Sequence, residues 1–259
     1  MERSEPEHLS SSFGGAAAAY AEHRPDYAQA AVRWVLDAAS GKRVLDLGAG
    51  TGKLTGTLRE VGADVVAVEP DPAMLAELRG TLPAVRSMQG SAEEIPLPDG
   101  SVDAVVAGHA MHWFDMAVAG PEIARVLVPG GVLAGLWNVI DDRVDWVAEL
   151  AQEGGSAAVG ERDLLSTWRD ATSHTYLPKI DQAPSFGHLQ QVEFPHDQRH
   201  TAESLVAKIA THAGLLVMPD REREETLGRI RDLLASTPET AHGGFTLPML
   251  TGVLRVRRL

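Results

Sequence analysis

Three alternating glycines directly follow a short apolar segment in the first quarter of the sequence. The segment Arg43–Leu47 runs into Gly48–Gly52, and a helical pattern begins after the last glycine. Glycine is needed where a backbone turns tightly and touches a ligand, because any Cβ atom would intrude. The helix that follows adds free N–H groups and the positive end of its dipole. This strand–turn–helix segment predicts a cofactor site, and the alternative interpretation is a tight turn that binds nothing.

The spacing of these glycines separates the cofactors that such turns bind. A P-loop needs a glycine five positions before its Gly-Lys pair and Ser or Thr after it, but Leu47 and Leu54 occupy those positions. A dinucleotide fingerprint has its third glycine three residues after the second, where this sequence has Lys53. The spacing therefore excludes a P-loop and disfavours a dinucleotide without excluding it.

An acidic residue adds independent support for a cofactor site. Glu69 ends the next apolar segment, and the difference 69 − 50 places it 19 residues after Gly50. Because the carboxyl ends of adjacent parallel strands lie side by side, we expect Glu69 to lie beside the glycine turn. A carboxylate there can accept hydrogen bonds from both hydroxyls of a ribose. The alternative is an exposed acid at the end of a strand.

Short apolar segments alternate with helical patterns through the first half of the chain. This alternation indicates βαβ units and a mostly parallel sheet that is buried on both faces, which makes the predicted fold class a doubly wound α/β fold. The predicted strands are residues 43–47, 65–69, 102–108 and 131–137, and the predicted helices are residues 16–21, 26–39, 54–61, 72–81 and 116–127.

The pattern is looser after residue 138. Leu227, Ile230, Leu233 and Leu234 form an apolar stripe with helical spacing. We expect Arg255, like Arg257 and Arg258, to lie on the solvent face of a last strand. The elements predicted here are helices at residues 141–155, 161–171, 201–213 and 222–235, and strands at residues 189–194 and 246–256.

The composition is that of one large globular domain. The chain has 259 residues, of which 44% are hydrophobic and 23% are charged. Its 23 basic and 36 acidic residues give a net charge of −13, which repels a phosphate backbone. The absence of cysteine excludes disulfides, thiolate nucleophiles and cysteine-bound zinc. We therefore predict an enzyme that has no nucleic-acid partner.

The sequence also predicts where the protein is located. Residues 1–12 are polar and acidic and lack the apolar centre of a signal peptide. No apolar run approaches the roughly 18 residues that are needed to span a bilayer. We expect a cytoplasmic protein without a membrane partner, and the sequence leaves its oligomeric state open.

Five segments, in this order and at this spacing, resemble the class I S-adenosylmethionine-dependent methyltransferases. Within that family they are similar to the small-molecule branch that includes trans-aconitate methyltransferase-like enzymes. The resemblance covers residues 13–138 and, more weakly, the C-terminal segments, whose end at residues 247–251 is similar to the last strand of that branch. The five segments are Val44–Gly52, Val66–Leu75, Gly90–Val105, Ala110–Asp115 and Ala124–Leu133.

The resemblance implies a particular version of the predicted fold. It is a seven-stranded Rossmann-like sheet with a final antiparallel strand and a helical cover insertion. Residues 1–12 would be a flexible tail, and residues 13–259 would form a single methyltransferase domain. Within that domain we expect a cofactor-binding core at residues 13–140, a helical cover and substrate region at residues 141–244, and a closing strand at residues 245–259.

The resemblance also assigns cofactor contacts to matching positions. Glu69 would hold the ribose diol, and Arg24 would meet the methionine carboxylate. Many relatives have aspartate where this chain has Ser91, and Glu93 is expected to compensate. The remaining positions are Asp46, Gly48, Ala49 and Gly50 around the methionine part, Pro70 and Met74 on one face of the adenine, and Ser91, Ala92 and Glu93 at the adenine edge.

Two histidines and four other residues are the candidates on the acceptor side. His109 and His112 are the predicted catalytic residues, and His109 is also a candidate contact to the cofactor carboxylate. The alternative for His112 is that it fixes its own loop through a hydrogen bond. We expect no metal, because no nearby carboxylate has an evident role as a ligand. The predicted substrate-binding residues are Tyr20, Trp113, Trp137 and Asn138.

The implied activity is transfer of a methyl group from S-adenosylmethionine to an oxygen, nitrogen or carbon atom of a small-molecule acceptor. The reaction would be a direct displacement that leaves S-adenosylhomocysteine as the product. Because a sulfonium is its own leaving group, such an enzyme mainly aligns the reactants and excludes water. The alternative hypothesis is a scaffold that binds the cofactor for a non-methylating reaction or for regulation.

Overall fold

The computed structural model describes residues 24–160, 163–169 and 186–259. The predicted tail at residues 1–12, the predicted helix at residues 16–21 and the candidate residue Tyr20 lie outside these ranges. Of the predicted helix at residues 161–171, the described part is helical at residues 165–169.

Seven strands form the main sheet in the order β3-β2-β1-β4-β5-β9-β6. The first five strands, β1 to β5, pair with one another only in parallel, whereas β9 runs antiparallel to both of its neighbours, β5 and β6. This arrangement confirms the predicted mostly parallel sheet and its antiparallel last strand. The strands are β1 Arg43–Leu47, β2 Asp64–Glu69, β3 Arg86–Gln89, β4 Val102–Gly108, β5 Leu127–Ile140, β6 Gln190–Pro195 and β9 Met249–Arg257.

Helices cover both faces of this sheet. Val44 of β1 packs in one apolar cluster with Val35 and Leu58, whereas the adjacent Leu45 packs in another with Ile123 on the opposite face. Because consecutive side chains of β1 are buried on opposite faces, binding groups reach solvent where the strands end. The helices are α1 Gln29–Leu36, α2 Lys53–Glu60, α3 Pro72–Thr81 and α4 Met116–Val126.

Four further helices pack beside the carboxyl edge of the sheet and are called the cover. They share an apolar cluster that includes Val147, Ile209 and Ile230, together with Leu247 of a small sheet made of β7 and β8. None of the described helices is long and apolar enough to cross a membrane. The elements are α5 Asp145–Ala158, α6 Ala202–Ala210, α7 Ala213–Leu216, α8 Asp220–Ser236, β7 Gln198–His200 and β8 Phe245–Leu247.

The environment predicted for Arg255 is wrong. Its side chain is buried between α1 and β6, where the guanidinium lies 3.5 Å from the centre of the Trp34 ring. It donates hydrogen bonds to the carbonyl of Trp34 at 2.5 Å and to Gln190 Oε1 at 2.6 Å. Arg257, two residues further along β9, is exposed as predicted. Arg255 therefore anchors α1 to the edge of the sheet instead of facing solvent.

Candidate active site

A cleft of about 720 Å³ lies at the carboxyl ends of β1, β2 and β4. The sheet side of the cleft consists of the loops that follow these strands, and the opposite side is formed by the cover. Its volume lies within the range of small-molecule sites. The cover and the segments that follow its helices α5 and α6 contribute Ser156, Ala157, Gly160, Asp163, His212 and Gly214 to the lining.

The glycine turn lies at the floor of the cleft and is tied to the end of β2. Gly48 and Ala49 both donate their N–H groups to the carbonyl of Val68, at 2.8 and 3.1 Å. Gly50 has a φ of +56°, and a Cβ atom added there would meet no other atom within 4 Å. The backbone at Gly50 therefore faces open space in the cleft, as the sequence predicts for a ligand-binding turn. The side chain of Ala49 packs beneath the turn with Leu78.

Glu69 lies beside this turn, as its position at the end of β2 predicts. Its Oε2 accepts the N–H of Gly50 at 2.8 Å, and its Oε1 accepts the N–H of Asp71 at 2.9 Å. Burial raises the pKa of Glu69, and the two backbone hydrogen bonds oppose that rise. Each carboxylate oxygen retains a second lone pair, so Glu69 can accept further hydrogen bonds from a ligand in the cleft.

Asp46 lies directly under the turn and does not line the cleft. It is fully buried, and its Oδ2 accepts a hydrogen bond from the hydroxyl of Thr55 at 2.6 Å. Its Oδ1 is buried without a hydrogen-bond partner among the residues that the structure describes. Burial raises the pKa of Asp46 from 3.8 to about 7, and repulsion from Glu69 contributes to the rise. Asp46 is thus a strong acceptor that lacks part of its complement of donors.

Replacing Asp46 with asparagine is expected to change how stability depends on pH. Because the folded-state pKa of this acid is raised, the wild-type free energy of unfolding falls as pH rises from about 4 to about 7. The slope from one such group is at most about 1.4 kcal/mol per pH unit. The free energy of unfolding of Asp46→Asn minus that of wild type should therefore rise by about 2 kcal/mol between pH 5 and pH 7.

Urea denaturation at several pH values in this range measures the effect of Asp46→Asn. The matched control is Asp232→Asn, which removes an exposed carboxylate on α8. Free energies of unfolding that change with pH by the same amount in Asp46→Asn and wild type would contradict the raised pKa of Asp46.

The far end of the cleft has an apolar surface and a polar edge. Met74 and Ala92 are buried there, and both line the cleft together with Pro70 and Ser91. Glu93 also lines it, and its Oε1 accepts the N–H of Asp115 at 3.0 Å. All five residues predicted for the adenine therefore line the cleft. Three residues without a predicted role also line the cleft: Asp71, Pro72 and Phe114.

His109 lies at the end of β4 and faces the cleft. Its φ of +50° is in the left-handed region that non-glycine residues rarely adopt, and such strain is typical of functional sites. Its Nε2 accepts the N–H of Asn138 at 2.8 Å, which places the proton of the neutral ring on Nδ1. His109 is therefore held as a hydrogen-bond donor through Nδ1.

His112 also lines the cleft, but its ring is engaged by a neighbour. The indole Nε1 of Trp137 donates to His112 Nδ1 at 3.4 Å, and the ring lies 4.8 Å from the ring of Trp113. These contacts support the interpretation in which His112 fixes its own loop.

Two of the predicted substrate residues lie away from the cleft. Trp137 is fully buried against Trp168, with ring centres 6.5 Å apart. Asn138 uses its side chain within the protein, because Nδ2 donates to the carbonyl of Asp26 and Oδ1 accepts from Thr251, both at 2.7 Å. Trp113 lines the cleft as predicted. Trp137 and Asn138 do not line the cleft, although Asn138 lines a smaller cavity next to it.

A second, smaller cavity of about 40 Å³ lies next to the cleft, on the side of Asn138. Arg24, His109, Asp163 and His212 line both spaces. Among the described residues, no group of three or more histidine, aspartate or glutamate side chains is placed to hold a metal ion. Several residues of this inner cavity have no role predicted from the sequence, among them Pro25, Lys53, Ile140, Asp163, Lys208 and Met249.

Comparison with known proteins identifies the family. Residues 45–135 match a family described as a methyltransferase domain. A protein of Mycobacterium tuberculosis, named as an uncharacterized methyltransferase, is 43% identical over 248 residues that cover 95% of this chain and 96% of the relative. A relative of Schizosaccharomyces pombe with the same description is 31% identical, with 85% of each chain covered.

Solved structures share the fold. A protein from Anaeromyxobacter dehalogenans, assigned as a type II methyltransferase, superposes with a TM-score of 0.66 at 23% identity, covering 91% of this chain and 97% of its own. A Rossmann-like sheet with an acidic residue beside a glycine turn defines a protein that binds a nucleoside cofactor. This chain belongs to the class I S-adenosylmethionine-dependent methyltransferases, and S-adenosylmethionine is its cofactor.

The cleft fits this cofactor. Asp46 does not line the cleft, but its carboxyl group is buried next to the glycine turn, where a cationic group in the cleft would favour its charged form. The open space above Gly50 would be filled by a Cβ atom, and the carboxylate of Glu69 borders the same space. Two carboxyl groups and an open space thus lie together at the glycine turn, as binding of a nucleoside with an ammonium group requires.

Proposed function

We propose that this methyltransferase transfers the methyl group to a small-molecule acceptor by direct displacement, and that it belongs to the small-molecule branch of its family. The observation that supports this proposal most strongly is the cleft, which has the glycine turn and Glu69 on one side and the cover on the other. The net charge of −13 disfavours a nucleic-acid acceptor and is compatible with the predicted cytoplasmic location.

The proposed roles follow from the position of each side chain. Glu69 accepts the ribose hydroxyls, Asp46 provides negative charge near the ammonium group, and Arg24 faces the methionine carboxylate. Met74, Ala92 and Pro70 enclose the adenine, and Ser91 and Glu93 lie at its edge. When bound, S-adenosylmethionine supplies an electrophilic methyl group on a sulfonium.

The protein contributes alignment and exclusion of water to this reaction. His109 is fixed by the N–H of Asn138 and presents Nδ1–H, so it orients an acceptor oxygen or a carboxylate instead of removing a proton. Trp113 provides an apolar wall, and the proposed role of His112 is to hold the loop that carries Trp113. An acceptor that must lose a proton would therefore need a base other than Nε2 of His109.

Calorimetric titration with S-adenosylmethionine and S-adenosylhomocysteine tests the proposal first. We expect saturable binding with a dissociation constant in the micromolar range, about 1–100 µM, as is common for enzyme ligands. Incubation with methyl-labelled cofactor and a fractionated pool of small metabolites should then transfer label and release S-adenosylhomocysteine. Binding without turnover in any fraction would favour the scaffold hypothesis, and no binding at millimolar ligand would refute the proposal.

A further inference from the structure

The inner cavity contains a buried lysine that lacks a conventional hydrogen-bond partner. Lys208 of α6 is 5% exposed, and its Nζ donates to the sulfur of Met249 at 3.2 Å. A thioether is a weak acceptor, whereas an ammonium group has three donors to satisfy. Within the described ranges the structure gives Nζ no other hydrogen bond and no ion pair. A buried cation in this condition calls for an anion.

The charges around Lys208 do not supply that anion. Arg24 and Lys53 line the same cavity, so three basic side chains face it together with a single carboxylate, that of Asp163. Oδ2 of Asp163 already accepts the N–H of Gly160 at 3.1 Å and lies 3.5 Å from Nδ1 of His212. Among the described residues that line the cavity, basic side chains therefore outnumber acidic ones, and Asp26 acts on Lys53 from outside this lining.

His212 adds a polar atom without adding negative charge. Its Nε2 is buried and has no hydrogen-bond partner among the described residues. Burial lowers the pKa of His212 well below its ordinary value, and Arg24 lowers it further, so the ring is neutral near pH 7. The neutral ring has one N–H, which the backbone of Ala158 accepts, and Nδ1 is the nitrogen beside Asp163. Nε2 is therefore an acceptor, and His212 adds no charge to the cavity.

The size and position of the cavity limit the group that fits. Its volume of about 40 Å³ holds a group the size of a carboxylate, since a single water needs about 10–15 Å³ by the same measure. Because Arg24, His109, Asp163 and His212 border both spaces, the cavity lies directly beside the cofactor cleft. A molecule that reaches the cleft can therefore extend a small group toward Lys208.

We propose that the inner cavity binds a carboxylate group of the methyl acceptor, with the ammonium of Lys208 as its principal partner. Arg24 and Lys53 add positive charge, and the neutral ring of His212 adds none. The inference rests on the proposed function and names a class of acceptor, one that has a carboxylate. The carboxylate bound here anchors the acceptor, and the atom that receives the methyl group lies on the cleft side.

Binding of an anion at Lys208 should be coupled to uptake of a proton. Burial lowers the pKa of Lys208 to about 7, the positive charge of Arg24 lowers it further, and Asp163 opposes this. The other titratable or charged groups described in the cavity and its surroundings are Asp26, Tyr27, Lys53, His109, His200 and His212. Because an anion favours the charged amine, acetate that binds at pH 8 should take up close to one proton.

Calorimetric titration of the protein saturated with S-adenosylhomocysteine provides the test, with acetate, acetamide and inorganic phosphate as probes. We expect millimolar acetate binding, no acetamide binding, and at least tenfold weaker acetate binding by Lys208→Met, which keeps the length of the side chain. The control Lys42→Met removes an exposed lysine and should bind acetate like wild type. Titrations in two buffers of different ionisation enthalpy measure proton uptake by the wild type, so the test does not depend on a variant that folds.

Each contrary result has a distinct meaning. Equal acetate binding by Lys208→Met and wild type, or acetate binding without proton uptake at pH 8, would overturn the inference and leave the proposed function intact. Phosphate that binds at least tenfold more tightly than acetate and depends on Lys208 would overturn the carboxylate assignment in favour of a phosphoryl group. Failure of the wild type to bind S-adenosylhomocysteine would contradict the proposed function instead, and acetate titration of the protein alone would still test the cavity.

Discussion

The change of Glu69 to alanine is expected to weaken S-adenosylmethionine binding by about 100-fold, or about 2.7 kcal/mol. Glu69→Ala removes two kinds of interaction, and both losses weaken binding. The ribose hydroxyls lose a charged acceptor, and the N–H groups of Gly50 and Asp71 lose the carboxylate that holds the turn in place. Titration calorimetry measures the loss, and an affinity within threefold of wild type would contradict the proposed role of Glu69.

Two further variants separate these losses. Glu94→Ala removes an exposed carboxylate close to the cleft that does not line it, and it should bind the cofactor like wild type. Glu69→Gln keeps the size of the side chain, but its amide nitrogen must face either the N–H of Gly50 or that of Asp71. We therefore expect Glu69→Gln to weaken binding as well, by at least tenfold.

The second large effect is expected for Gly50→Ala. The methyl group would enter the cleft, because no protein atom lies within 4 Å of that position and Gly50 lines the site. We expect cofactor affinity to fall by more than tenfold. Because alanine is strained at this positive φ, the free energy of unfolding should also fall by about 1–2 kcal/mol.

Gly62→Ala is the matched control for this change. Gly62 has a φ of +86°, and a Cβ atom there would also meet nothing within 4 Å, but it lies after α2 and away from the cleft. Chemical denaturation should give similar losses of stability for the two variants, whereas only Gly50→Ala should lose affinity for the cofactor. Equal cofactor binding by both variants would show that the space above Gly50 is not used.

The parallel core was predictable because its determinants are local. β1, β4 and α3 have the predicted bounds. β1 is followed directly by Gly48, β4 ends at Gly108, and α3 begins with a proline after a capping aspartate. The cofactor side follows from these elements, since the turn and Glu69 lie at the ends of two neighbouring strands. The domain boundaries and the roles of the individual site residues remain predictions.

Other features depend on distant partners and were missed. β3, Arg86–Gln89, has a polar sequence without alternation, and it is a strand because β2 offers it a parallel edge. Arg255 is buried because Trp34 and Gln190 reach it from elsewhere in the chain. Lys208 had a signal that was not used, since it shares an i, i+3, i+4, i+7 stripe with Leu205, Ile209 and His212.

The position of β9 within the sheet has a consequence for how the protein is made. β9 is translated after the other six strands, yet it lies between β5 and β6 and contributes Met249 to the inner cavity. Before the ribosome has released β9, β5 has an unpaired edge and β6 has no neighbouring strand to pair with. Both strands can then pair incorrectly. Late insertion of this one strand should therefore be the slow, non-local step of folding. It should also coincide with the gain of ligand binding.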